Sequence, residues 1–83
     1  MALYFLTYDL CDKANHKKLI NELEQLGAIR VLEAMWCLNK ADTSVEQIRD
    51  HFQVLLADND GLVVSEVNQW AALNAERVPL ALS

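Results

Sequence analysis

The stretch "YFLTYDL", residues 4–10, decides how this chain folds. Six of its seven residues are apolar, aromatic or β-branched, and the other is the acid Asp9. Widened to residues 2–9 it reads as a strand, because Tyr4, Phe5, Thr7 and Tyr8 suit a pleated surface. Alternation puts Leu3, Phe5, Thr7 and Asp9 on one face and Tyr4, Leu6 and Tyr8 on the other. A strand apolar on both faces is covered on both. The chain's own helices are expected on one face and a partner subunit on the other. The acid at its end has two readings. It lies against the N-terminus of the next helix, an attraction of a few tenths to about 1 kcal/mol, or it binds a metal for phosphodiester chemistry.

Downstream, "CDKANHKKLINELEQLG" predicts a helix capped by Asp12 or Asn15. Its stripe is Leu19, Ile20, Leu23 and Leu26, and Gly27 takes the left-handed position beyond its end. "AIRVLEAMWCLNK", residues 28–40, is long for one strand. A bend or bulge near Glu33–Ala34 divides it into antiparallel strands 28–33 and 34–39. "DTSVEQIRDHFQVLLADNDG" holds a second helix, with capping-box spacing at Thr43/Glu46 and at Ser44/Gln47. Val45, Ile48, Phe52, Leu55 and Leu56 form its stripe. "DNDG" turns the chain into a last strand, "LVVSEVNQW", residues 62–70.

The order βαββαβ predicts an α+β, ferredoxin-like fold with two helices on one face of an antiparallel sheet. The chain is read as one domain, residues 1–83, with a core over 2–70 and a C-terminal extension over 71–83. That extension, "AALNAERVPLALS", carries an apolar "VPLAL" expected to dock on the chain's own sheet or a partner's. A chain this short buries only roughly 60–65% of its unfolded surface. Its 53% hydrophobic content exceeds what such a small monomer needs, which points to a homodimer. Trp36, Trp70 and Leu80 are the expected interface anchors.

The net charge of −5 removes any general attraction to nucleic acid or anionic membranes. It leaves room for a local basic patch. Lys13, Lys17 and Lys18 sit at the start of the first helix, where acids are the stabilising choice. With His16 they form a candidate phosphate-holding group, and the bland alternative is a solvated helix face. His51 reads as a helix-surface group. Glu33 and Glu66, acids within strands, either pair with Arg30 across an interface or blunt sheet edges. Cys11 and Cys37 lack metal or redox spacing, so reduced thiols and a cytoplasmic setting are expected, with Cys37 in the core. The N-terminal apolar run is interrupted by Asp9 and too short for a leader or a membrane span.

A strand ending in "TYDL", a helix, a strand "RVLEAMWCL" and a second helix resemble the small CRISPR-associated Cas-two family, over residues 2–70, and the related VapD toxins. The resemblance implies a ferredoxin-like homodimer in which one subunit's tail often adds to the other's sheet. It makes Tyr8 and Asp9 the family's Tyr-Asp pair, with Asp9 of each subunit facing across the cleft. It also implies Mg²⁺ (or Mn²⁺) at Asp9 and endonuclease action on RNA or DNA. Tyr8, Lys13, His16, Lys17, Lys18 and Arg30 are then the nucleic-acid-binding residues. The chain departs from the family's pattern in its sparse arginines, in Trp36 where a phenylalanine is common, and in its acidic charge. These departures favour an alternative, a catalytically inactive dimeric interaction module with a protein partner in a CRISPR-related, toxin–antitoxin or regulatory assembly.

Overall fold

Alternation along β1 (Ala2–Asp9) sorts the molecule into two layers, as a strand apolar on both faces requires. The computed structural model describes residues 2–11 and 13–78. Asp12, one of the two expected caps, and Leu80, an expected interface anchor, lie outside the described residues. After β1 come α1 (Lys13–Gln25), β2 (Ile29–Leu32), β3 (Met35–Lys40), α2 (Val45–Gln53) and β4 (Gly61–Val67). The four strands form one antiparallel sheet in the order β2-β3-β1-β4. This is a small α+β fold, consistent with a ferredoxin-like one.

Both helices cover the same face. Tyr4, Leu6 and Tyr8 of β1, with Trp36 and Leu38 of β3, pack beneath Leu19, Leu23, Ile48 and Phe52. Tyr4 is buried to its ring, and its hydroxyl donates to the Thr43 carbonyl at 3.1 Å, which satisfies the phenol. Burial, and secondarily the charge of Glu66, push its pKa up.

The helix ends follow local chemistry. Gly27 has φ +79°, and the Ala28 and Gly27 amides bond back to the Leu23 and Glu24 carbonyls at 3.0 and 3.1 Å. That pair of bonds is the Schellman ending that an L-residue at position 27 would strain. At the start of α2 the structure chooses Ser44 over Thr43, since Ser44 Oγ accepts from the Gln47 amide at 3.1 Å. Asn15 is no cap. It lies inside α1, and its side chain is used elsewhere.

Glu33 and Ala34 form the turn between β2 and β3, so Glu33 leaves the strand it was expected to occupy. Neither has positive φ, so the turn is not of the primed type favoured in tight hairpins. A register shift between Arg30 and Leu32 supplies the extra bend, with Val31 the bulged residue. β4 ends at Val67 rather than at Trp70. Its last register partner is Leu3 of β1, and residues 68–70 lie outside any strand.

On the second face, Ile29, Val31 and Cys37 form a smaller cluster with Leu3, Phe5 and Ala75. The chain after β4 therefore crosses its own sheet, although its described residues form no further strand. The Glu76 amide donates to the Val31 carbonyl at 2.9 Å, which satisfies the acceptor at the bulge. Burial raises the Cys37 thiol to about 11.

Candidate functional site

The end of β1, the first turn of α1 and the β2–β3 turn enclose an open concavity of about 400 Å³. Tyr8, Asp9, Cys11, Lys13, His16 and Glu33 are among its lining residues. Strand alternation separates the first two. Tyr8 turns under the helices and is 7% exposed, while Asp9 points to the other face and is exposed.

Tyr8 is held from two sides. Its hydroxyl donates to the Glu33 carbonyl at 3.3 Å and lies 3.5 Å from His16 Nε2. A phenol has one proton, so the bond to Glu33 leaves its oxygen as an acceptor for an Nε2–H of His16. The two rings stand 5.6 Å apart at 55°. His16 is thus half-buried against Tyr8 rather than a free surface group.

Lys13 is exposed at the lip, and no acid occupies the first turn of α1. Its charge and the helix N-terminus act in the same sense there. Lys17 and Lys18 are exposed on α1 but do not line the concavity. Among the described residues no carboxylate forms an ion pair with these three lysines.

Other expected site residues lie elsewhere. Arg30 pairs with Trp36 across β2 and β3, its guanidinium carbon 5.4 Å from the indole centre. It does not line the concavity, because its place in the register turns it to the helix-covered face. Trp36 is buried at 5% exposure in the chain's own core, so it is an internal anchor rather than an available interface residue. Arg30 Nε and Trp36 Nε1 are both buried and find no hydrogen-bond partner among the described residues. Trp70 is 36% exposed and borders an apolar cleft of about 130 Å³ with Phe5, Leu32, Met35 and Leu73. Glu66 is in register with Tyr4 on the helix side, as Arg30 is, and Glu33 lies in the β2–β3 turn, so neither acid meets Arg30 on the open face. His51 is a helix-surface group, joined to Glu22 Oε2 at 2.6 Å.

Asp60 is the residue that sequence reasoning missed. Its Oδ1 accepts from the Cys11 amide at 2.8 Å, and its Oδ2 from the Ala57 amide at 2.8 Å and Asn15 Nδ2 at 3.0 Å. The Ala57 and Cys11 amides, with a smaller contribution from Asn15, hold its carboxyl below the ordinary value. "DNDG" announces a turn, and no local pattern announces partners 45 and 49 positions away.

Mg²⁺ requires oxygen ligands, and it keeps several waters when protein supplies only one or two carboxylates. Among the described residues no three His, Cys, Asp or Glu side chains converge to hold a metal. At the end of β1 the chain offers the single exposed carboxylate of Asp9, fewer oxygen ligands than an ion needs. Thr7, Val63 and Ser65, on the same face as Asp9, are also exposed.

No protein-family model and no solved structure matches the chain. The likeness to the Cas-two family therefore rests on the quoted residues and their order. Among the described residues, no helix is long and apolar enough to cross a membrane.

Proposed function

We propose that this chain is a Cas-two-like homodimer with a ferredoxin-like fold that binds nucleic-acid phosphate at the end of β1 and hydrolyses phosphodiesters. The observation that carries the reading is the gathering of Tyr8, Asp9, Lys13 and His16 around one concavity. These residues come from a strand end and a helix start, so their spacing is set by the fold. Lys13 supplies a cation to a phosphate, and the Nε2–H of His16, oriented by Tyr8, sets the imidazole beside it. Asp9 of two subunits would hold Mg²⁺ or Mn²⁺, and the metal supplies phosphate polarisation and an activated water. The test is cleavage of labelled RNA and DNA with Mn²⁺. Asp9→Ala abolishes it on this reading, and equal background rates in both proteins remove the reading.

A second reading is the inactive dimeric interaction module. Of the five basic residues expected at the site, only Lys13 and His16 reach it, in a chain of net charge −5. Leu32, Val63, Trp70 and Leu73 are meanwhile exposed apolar groups. Binding of short duplexes across a salt series separates the two, since phosphate contacts give a steep salt dependence. A dimer without any such binding is the module.

A further inference from the structure

Two regions distant in sequence, residues 11–15 and 57–60, meet at one carboxylate. The loop after β1 contributes the Cys11 amide, the first turns of α1 contribute Asn15 Nδ2, and the α2–β4 loop contributes the Ala57 amide. The residue after Asp60 is Gly61, the register partner of Asp9. Asp9 and Lys13 each lie two positions from a group that Asp60 holds, and His16 lies one position away.

We infer that Asp60 is the positioning residue of the β1-end concavity, its carboxylate fixing the loop after β1 and the start of α1 against the entry to β4. Three N–H groups converge on two oxygens, an arrangement suited to an ionised carboxylate, which only accepts. An asparagine of the same shape keeps one acceptor oxygen and turns an amide NH₂ toward at least one of those donors. The ties from position 60 to the loop after β1, to α1 and to Ala57 are then no longer all made. A hydroxyl or an apolar side chain loses more. The Cys11 side chain adds a weaker tie, with Sγ donating to the Asn59 carbonyl at 3.5 Å.

The functional consequence rests on the reading of that concavity as the binding site, whereas the positioning itself does not. The chain carries its own reporters, because Cys11 is exposed, Cys37 is buried, and His16 contacts Tyr8. The experiment compares wild type, Asp60→Asn, Asn15→Ala and Ile48→Val in the full chain, well below their unfolding temperatures. It measures the iodoacetamide alkylation rate at Cys11, the His16 ring signals by NMR, and affinity for a single-stranded oligonucleotide. Asp60→Asn is expected to speed Cys11 alkylation several-fold, to shift the His16 signals and to weaken oligonucleotide binding several-fold. Asn15→Ala removes one of the three bonds, so it shifts His16 with a smaller effect on Cys11. It stands in should Asp60→Asn fail to fold. Ile48→Val loosens the core and leaves both reporters unchanged. Wild-type reporter behaviour in Asp60→Asn and Asn15→Ala overturns the inference, as does an equal shift in Ile48→Val. Failure of wild type to bind the oligonucleotide overturns the binding-site reading, while Cys11 and His16 still decide the role of Asp60.

Discussion

On one face of the sheet, Tyr4, Leu6, Tyr8, Trp36 and Leu38 disappear beneath two helices; on the other, Ile29, Val31 and Cys37 meet Leu3, Phe5 and one residue of the tail, Ala75. The first face is closed by regular periodicity, with Leu19, Leu23, Ile48 and Phe52 arriving on helical stripes. The second is strapped by a segment without periodicity, held at Val31 through a backbone bond. A regular cover spans its whole face, and a strap does not. The uncovered part, with exposed Thr7, Val63 and Ser65, is the part on which Asp9 lies. The helix-covered face holds most of the buried core, whereas Asp9 lies on the face left partly open.

The largest expected effect breaks the closed face. Phe52 is fully buried, and Phe52→Ala should cost roughly 3–5 kcal/mol in urea unfolding. A loss below about 1 kcal/mol would mean that α2 does not close that face. Breaking the strapped face should cost less, because a strap can open without unfolding the helices. Ala75→Asp sets a charge against Ile29, Val31 and Cys37, and the expected loss is about 0.5–2 kcal/mol. Its sharper signature is chemical. Cys37 should become accessible to a thiol reagent in Ala75→Asp while remaining protected in wild type. Protection in both proteins would show that the tail is not the cover.

The smallest effect concerns acid. The folded-state pKa of Asp60 is depressed, so its bonds contribute stability above the unfolded value, near pH 4. That contribution is lost as pH falls through the lower folded value. Wild type should thus lose thermal stability below about pH 4 more steeply than Asp60→Asn. Parallel curves would deny the carboxylate its share.

What the sequence made legible follows the same division. β1, both helices, the Gly27 ending and the β2–β3 division were readable, because alternation, helical stripes and turn residues are local signals. Tyr8, Asp9, Lys13 and His16 were legible as neighbours because a strand end and the following helix start are also close in sequence. Pairing hid the rest. Trp70 follows the polar pair Asn68 and Gln69 beyond the end of β4, and Arg30 is turned by its register toward Trp36 instead of toward Asp9. Asp60 looked like one more turn acid, since its donors Cys11 and Asn15 belong to the opposite end of the chain.

The account stands or falls on a second copy meeting the uncovered surface so that two Asp9 carboxylates share an ion. Titration of Mn²⁺ into the purified chain, with the oligomeric state followed by sedimentation, tests this directly. The expected result is a dimer binding one ion per pair of chains, with that uptake gone in Asp9→Ala. A monomer, or the same uptake in Asp9→Ala, contradicts it.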